Sequence, residues 1–227
     1  MGAHDDGRLR AWEAAGQAAA ALVKDGDRVG IGTGRAAAAG IRALGERVSE
    51  GLDCVAVPTS AASRDLGRQL GIRLGRMDGP VDIAFDGADI VVPSGLAIKG
   101  GGGALVRERI VGESARRLLI LVDAPKVAET FEPWGVLPVA VIPFAAEYVS
   151  GALADLSPTR RPGRSDDQLV IIDFAMPVGA DWEAADLRIR AVNGVVDTGL
   201  FRVNPSDVLV GAPDGSVAVL PDVALPG

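Results

Sequence analysis

The sequence has few of the side chains that most often act as nucleophiles or metal ligands, with one cysteine and one histidine among 227 residues. The histidine, His4, stands near the N-terminus, where chains are commonly frayed. The sequence therefore gives no support to a Ser–His or Cys–His nucleophile, or to a histidine-rich metal site. The cysteine, Cys54, lies in an apolar run, which indicates a buried thiol in a reducing compartment.

Long apolar segments and an excess of basic residues are also missing. The chain has no run of about 18 apolar residues that could span a membrane, and its first ten residues, MGAHDDGRLR, lack the apolar region of a signal peptide. Its formal net charge is −7, which argues against nucleic-acid binding through phosphate neutralisation. We therefore expect a cytoplasmic protein that binds neither membranes nor nucleic acids.

Apolar residues make up 48% of the chain, enough for a sizeable core. A first helix is predicted over residues 10–24, and short apolar strands then alternate with helices as far as residue 130. Because strands that alternate with helices form parallel sheets covered on both faces, we predict an α/β fold with an open, mainly parallel, Rossmann-like sheet.

The pattern changes after residue 137, where strand–helix–strand units recur around a polar loop, SPTRRPGRSDDQ. Such units are typical of a small α+β domain of the ferredoxin-like type. We predict a Rossmann-like catalytic domain from residues 1–130 and 200–227, and a small α+β domain from residues 131–199.

Candidate functional residues follow the predicted strands, because ligands of open parallel sheets lie beyond the carboxyl ends of the strands. The loops concerned are GTGR (32–35), PTSAAS (58–63), DGAD (86–89), KGGGGA (99–104) and DAPK (123–126). Together they would supply acids and bases without histidine. The polar side chains that we take as candidates are Thr33, Arg35, Asp86, Asp89, Lys99, Glu108 and Lys126.

Each motif alone has an ordinary explanation. GTGRAA fits the dinucleotide pattern G-x-G-x-x-A, but VPTS stands where that pattern needs an acidic residue, so its glycines favour a small anion at a helix start. The four glycines lack the Lys-Ser/Thr of a P-loop. DGAD alone could be a turn, and Glu108 alone could be a solvated helix residue paired with an arginine.

The motifs in combination carry a more specific signal. The segment VDIAFDGADIVVPSGLAIKGGGGALVRERIV (81–111) resembles the signature region of type A ribose-5-phosphate isomerases, which reads DGADE, then KGGGGAL, then R-E-K. The similarity extends over nearly the whole chain, through VGIGTG, LVDAPK, LPVAVIP, NGVVDTGLF and GAPDG.

The resemblance implies an aldose–ketose isomerase that works through a cis-enediol without metal or cofactor. It implies that Glu108 is the base that moves a proton between C1 and C2, and that Asp86 assists opening of the sugar ring. It further implies that Asp89 binds substrate hydroxyls, and that Lys99 stabilises negative charge on the enediolate. The implied substrate-binding residues are Gly32, Thr33, Gly34, Arg35, Ala36, Gly100, Gly101, Gly102, Gly103, Lys126 and Trp12.

The phosphate-binding loop departs from the family pattern. GTGRA replaces GTGST, so Arg35 and Ala36 stand where hydroxyls are usual, and Trp12 stands near the place of a lysine. Two hypotheses follow. Either the Arg35 guanidinium still binds the phosphate of ribose 5-phosphate, or the pocket takes another sugar that is unphosphorylated, carboxylated or bulky enough to stack on Trp12.

Two other classes fit less well. A non-catalytic sugar-phosphate sensor would share the fold, but no DNA-binding helix-turn-helix precedes this domain and the chain is acidic. A coenzyme-A transferase-like enzyme would share the broad fold, but Glu108 stands in the isomerase motif and the chain is short for that class. The resemblance also implies a homodimer or a homotetramer.

Overall fold

The computed structural model describes residues 3–220 and Val223. The helices are α1 Ala3–Ala21, α2 Arg35–Ser49, α3 Ala61–Gln69, α4 Leu105–Ser114, α5 Ala146–Ala152 and α6 Trp182–Arg190. The strands are β1 Arg28–Ile31, β2 Val55–Pro58, β3 Val81–Gly87, β4 Ile90–Val92, β5 Leu96–Ile98, β6 Ala115–Asp123, β7 Val136–Val141, β8 Thr159–Arg160, β9 Val170–Ala175, β10 Val195–Thr198, β11 Leu200–Arg202, β12 Val208–Gly211 and β13 Val217–Val219.

The main sheet has six strands in the order β13-β12-β6-β3-β1-β2, parallel except for the antiparallel edge strand β13. Neighbouring residues of β3 face opposite sides, as the pleat of a strand requires. Phe85 packs against Gly40 of α2, whereas Ala84 packs near Val111 of α4 around Gly30. Helices therefore cover both faces, which confirms the predicted α/β fold.

Two smaller sheets complete the fold. An antiparallel sheet in the order β10-β7-β9-β8 carries α5 and α6 in a βαββαβ succession, and β11, β5 and β4 form the other. This succession and strand order match the predicted ferredoxin-like unit. The boundaries at residues 130 and 200 stay a prediction.

Several local predictions can be compared with the structure. The first helix begins at Ala3 rather than at residue 10, although the side chain of His4 lies outside the described residues. Cys54 is buried, as expected, and burial raises the pKa of its thiol. Among the residues that the structure describes, every helix is too short or too polar to traverse a lipid bilayer.

Candidate active site

The loops that follow β1, β3 and β5, together with the segment after β6, meet at one edge of the main sheet and enclose a cleft. The predicted site residues largely converge there, because the parallel strands β1, β3 and β6 end at a common edge. The prediction that the glycine loop also follows a strand of the parallel sheet is wrong, since β5 is antiparallel to β4 and β11 in the small sheet, although its loop reaches the same edge. The cleft is lined by Thr33, Gly34, Arg35, Ala36, Gly87, Ala88, Asp89, Lys99, Gly100, Gly101, Gly102, Glu108 and Lys126. The predicted residues Gly32, Asp86, Gly103 and Trp12 are not among them.

Three buried charged side chains form a triad beside the cleft: Asp86, which lies behind the cleft wall, and Lys99 and Glu108, which line it. Lys99 Nζ lies 3.1 Å from Asp86 Oδ2 and 3.2 Å from Glu108 Oε2, and it also donates a hydrogen bond to the carbonyl oxygen of Gly87. Lys99 is only 3% exposed. One buried cation therefore balances two carboxylates, an arrangement that is stable only while its partners are in place.

The first member of the triad, Asp86, is held behind the cleft wall by backbone amides. Asp86 Oδ1 accepts hydrogen bonds from the N–H groups of Thr33 (2.9 Å) and Gly87 (2.7 Å). A Cβ at position 32 would lie 2.1 Å from the same oxygen. Gly32 is thus required by the close approach of Asp86. This corrects its predicted place on the substrate-facing wall.

The third member, Glu108, lies in the first turn of α4 and is 6% exposed. Burial raises its pKa to about 8, and the Asp86 charge adds to the rise while Lys99 opposes it. Its Oε2 faces Lys99 without hydrogen-bond geometry and has no hydrogen-bond partner among the described residues. Burial by itself would lower the pKa of Lys99, but the charges of Asp86 and Glu108 outweigh it. The net effect is a pKa above the usual value for lysine. A carboxyl group poised near neutrality beside a fixed cation suits general base chemistry.

The four glycines link Lys99 to the helix of Glu108. Backbone conformation requires glycine at some of these positions, and lack of space for a side chain requires it at another. Gly100 and Gly103 adopt left-handed backbone conformations, with φ of +102° and +77°, which glycine tolerates best. Gly101 donates its N–H to Asp89 Oδ2 at 2.7 Å, and a Cβ there would lie 2.5 Å from Asp89 Oδ1. Gly103 lies next to the cleft, against Ile171.

Two basic side chains line the cleft near its mouth. The exposed Arg35 begins α2, and its Cζ lies 4.5 Å from the centre of the Trp12 ring. Lys126 donates to the carbonyl oxygen of Ala88, and burial lowers its pKa, although Asp89 partly offsets this. A guanidinium at the start of a helix adds to the anion preference of the free backbone amides there.

Trp12 does not line the cleft. It is 6% exposed and belongs to the core between α1, α2 and the main sheet. The guanidinium groups of Arg35 and Arg8 lie 4.5 and 5.2 Å from its ring centre. The structure therefore does not bring Trp12 to the cleft with the other predicted residues, because its indole packs in the core beside the Arg35 guanidinium.

Two residues that contact the cleft loops, Thr59 and Arg161, were not predicted from the sequence. Thr59 Oγ1 lies 2.8 Å from Thr33 Oγ1 beside the cleft, and the PTSAAS loop gave a signal for it. Arg161 contacts the glycine loop from the polar segment after β8. No local pattern marks it, because the contact joins residues 61 positions apart.

The described residues contain no group of three or more His, Cys, Asp or Glu side chains placed to hold a metal ion. The charged side chains that line the cleft suit proton transfer. A carboxyl with a raised pKa faces the cleft beside a buried ammonium, so it can accept a proton while the ammonium balances a developing oxyanion.

Comparison with known proteins agrees with this geometry. The family model for ribose 5-phosphate isomerase A (phosphoriboisomerase A) matches residues 55–215. The chain is 41% identical over 220 residues to ribose-5-phosphate isomerase A of Thermomicrobium roseum, covering 92% of this chain and 93% of that one. It is 43% identical over 216 residues to the protein of the same name from Haloarcula marismortui, covering 89% and 92%.

Solved structures give the same result. Ribose 5-phosphate isomerase A of Methanocaldococcus jannaschii superposes with a TM-score of 0.85 at 36% identity, covering 92% of this chain and 97% of that one. A D-ribose-5-phosphate isomerase in complex with phospho-erythronic acid superposes with a TM-score of 0.83 at 27% identity, covering 96% and 100%. The chain therefore belongs to the ribose 5-phosphate isomerase A family.

Proposed function

We propose that this protein interconverts ribose 5-phosphate and its 2-ketose isomer, with Glu108 as the base. The observation that carries the proposal is the Glu108 carboxyl, whose pKa is raised to about 8 and which lies 3.2 Å from the Lys99 ammonium in the cleft. Relatives named ribose-5-phosphate isomerase A at 41–43% identity support it.

The reaction moves one proton from C2 to C1 and one from the C2 oxygen to O1, with no net change in the oxidation state of the sugar. Glu108 takes the proton from C2 of the open-chain aldose, and the electron pair shifts to O1 to form a cis-enediolate. The Lys99 ammonium stabilises the negative charge on oxygen. Glu108 then returns the proton to C1 while the proton of the C2 hydroxyl is lost to O1, which leaves the ketone.

The other carboxylates have supporting roles in this proposal. Asp89 lines the cleft and accepts from Gly101 through one oxygen, which leaves carboxylate capacity for sugar hydroxyls. Asp86 orients Lys99. The ring-opening role that the resemblance assigns to Asp86 stays a prediction, because both of its oxygens are engaged with protein groups.

The phosphate group of the substrate is assigned to the cleft mouth. Arg35 begins a helix there and is braced on the Trp12 ring, and Lys126 lines the same cleft. A guanidinium fork matches a phosphate by two parallel hydrogen bonds. This favours ribose 5-phosphate over an unphosphorylated sugar, and a solved relative is in complex with the phosphorylated compound phospho-erythronic acid.

The proposal is tested by NMR in deuterated water with ribose 5-phosphate as substrate. Wild-type protein is expected to form the ketose with deuterium at C1, and to incorporate deuterium at C2 of the aldose that the reverse reaction re-forms. Glu108→Gln should lower kcat by about 10³-fold or more, since an amide cannot accept the proton. Glu113→Gln is the matched control, because Glu113 lies on the same helix with its side chain 71% exposed. Unchanged exchange in Glu108→Gln would refute the assignment of the base.

The proposed binding of the substrate phosphate by Arg35 is tested by measuring KM for ribose 5-phosphate. Arg35→Ala should raise KM for ribose 5-phosphate about tenfold or more with little change in kcat, since a uniform binding contact is lost. Arg42→Ala, an exposed arginine of the same helix outside the cleft, is the control. Turnover of free ribose in preference to ribose 5-phosphate would instead favour the rebuilt-pocket hypothesis.

The predicted homodimer or homotetramer and the cytoplasmic location belong to the same proposal. They are supported by the family resemblance. Light scattering on the purified protein at several concentrations measures the mass, and a monomer at all of them would contradict the predicted assembly.

A further inference from the structure

Arg161 reaches from the small antiparallel sheet to the glycine loop of the cleft. Its Nη1 donates to the carbonyl oxygens of Gly100 and Gly101, at 2.7 and 3.0 Å. Its Nε and Nη2 form a two-point pair with Asp173 of β9, at 2.7 and 2.6 Å. The guanidinium is thus fixed on one edge by a carboxylate, while another nitrogen holds the loop.

The peptide group between Gly100 and Gly101 is held on both of its sides. Its carbonyl oxygen accepts from Arg161, and its N–H donates to Asp89 Oδ2 at 2.7 Å. The C=O and N–H of a trans peptide point in opposite directions. Fixing the carbonyl toward Arg161 therefore aims the N–H at the carboxylate on the cleft wall.

The same carbonyl also accepts a hydrogen bond from the N–H of Gly103 within the loop, at 2.9 Å, so Arg161 adds a charged restraint from outside the turn. Gly100 has φ of +102° and is followed by three more glycines, and glycine populates both signs of φ with similar ease. A rotation of this peptide would remove the N–H from Asp89 and turn the carbonyl toward it. Two negative groups would then face each other in the cleft.

We propose that Arg161 is a positioning residue for the isomerase reaction, orienting the Gly100–Gly101 peptide so that its N–H holds Asp89 for the substrate. Asp173 in turn keeps the guanidinium in place. The proposal rests on the proposed function of the cleft, and it extends the site to a residue of the polar loop that follows β8. Arg161 itself is not among the residues that line the cleft.

The first test compares two neighbouring arginines. Arg161→Ala should lower kcat/KM for ribose 5-phosphate about tenfold, the scale expected for a lost hydrogen bond to a carbonyl in the site. Arg160→Ala removes the same charge one position earlier, where the exposed side chain lies 3.8 Å from Glu147, and should change kcat/KM less than about twofold. Equal effects of the two substitutions would overturn the proposal.

Arg161→Lys covers the case in which Arg161→Ala does not fold. A lysine can donate to the two carbonyls, but it cannot form the two-point pair with Asp173. We expect kcat/KM between those of wild type and Arg161→Ala. A lysine variant that folds and is less active than an Asp89→Ala variant would contradict a role that acts only through Asp89.

A double-mutant cycle separates positioning from a general structural effect. If Arg161 acts through Asp89, Arg161→Ala combined with Asp89→Ala should have nearly the kcat/KM of Asp89→Ala alone, within about twofold. A merely structural loss would lower the activity of the double variant by the product of the two single factors. That multiplicative result would refute the proposal.

A readout independent of turnover keeps this proposal separate from the proposed function. In protein labelled with ¹⁵N-glycine, the Gly101 amide proton should move upfield in Arg161→Ala, as its hydrogen bond to Asp89 is lost, and stay in place in Arg160→Ala. An unmoved resonance in Arg161→Ala would overturn the positioning role. Failure of the wild-type protein to isomerise ribose 5-phosphate would overturn the proposed function alone.

Discussion

At the scale of single residues, the buried triad derives its chemistry from an imbalance of charge. Asp86 and Glu108 both lie beside the Lys99 ammonium, but Asp86 also accepts hydrogen bonds from two backbone amides. Glu108 has no such donors, so burial raises its pKa to about 8. The surroundings of Glu108 thus bring the pKa of its carboxyl near neutrality although a cation lies beside it.

The raised pKa of Glu108 predicts how activity depends on pH. The base is the carboxylate form, so kcat/KM should rise about tenfold per pH unit below the pKa and level off above about 8. Measurement between pH 7 and 9.5 at constant ionic strength keeps the substrate phosphate, with a second pKa of about 6, fully ionised. A profile that is flat or falls between pH 7 and 8 would contradict this.

At the scale of elements, the glycine loop connects Lys99 to the helix that carries Glu108, the proposed base, and brings the two side chains within 3.2 Å. Strand β5 ends at Ile98, just before Lys99, and α4 begins at Leu105, three residues before Glu108. Between them the backbone approaches Asp89 closely, since a Cβ on Gly101 would lie 2.5 Å from Asp89 Oδ1. The loop is therefore shaped by the carboxylate that it holds.

Gly101→Ala should consequently impair catalysis more than Gly102→Ala. The first substitution displaces Asp89, so kcat/KM should fall about tenfold or more. The second places a Cβ 3.7 Å from the nearest atom, Cγ2 of Thr33, an ordinary contact. Steady-state kinetics on both variants, with melting temperatures to confirm folding, make the comparison. A larger loss in Gly102→Ala would show that loop geometry at Asp89 is not the controlling feature.

Most of the residues that line the cleft could be predicted from the sequence, because strand ends and turns have local sequence signals. The rule that parallel strands end at one edge applies to DGAD, which follows β3, but not to KGGGGA, because β5 belongs to the small antiparallel sheet. Trp12 was misplaced because its position relative to a family lysine says nothing about which way an indole points. Arg161 was missed because a polar, proline-containing segment does not reveal a contact with the carbonyl of Gly100.

At the scale of the whole molecule, Arg109 ties the helix of Glu108 to the strands that follow α6. Its Nε lies 2.6 Å from Asp197 Oδ2, and Nη2 donates to the carbonyl oxygens of Thr198 and Leu200 at 2.9 and 2.8 Å. Its Cζ also lies 4.0 Å from the ring centre of Phe201. The helix of Glu108 is thus anchored by contacts with residues 89 and 91 positions away in sequence.

Arg109→Ala should therefore lower the free energy of unfolding by about 2–4 kcal/mol, because two carbonyls and a buried carboxylate lose a charged donor. Urea denaturation measures it from the midpoint and slope. Arg188→Ala is the control, since the Arg188–Asp155 pair is exposed on both sides and should contribute far less. Equal shifts in the two midpoints would contradict the anchoring role.

The contrast between the buried triad and the exposed Arg35 also makes the cleft directional. Asp86, Lys99 and Glu108 are buried, whereas the Arg35 guanidinium is exposed. In the proposed function, a sugar that carries its phosphate away from the reacting carbons places that charge at Arg35 and its neutral end toward the triad. A sugar phosphorylated at C1 would bring two negative charges toward the buried Asp86 and Glu108, so the proposed site would distinguish the two ends of a pentose.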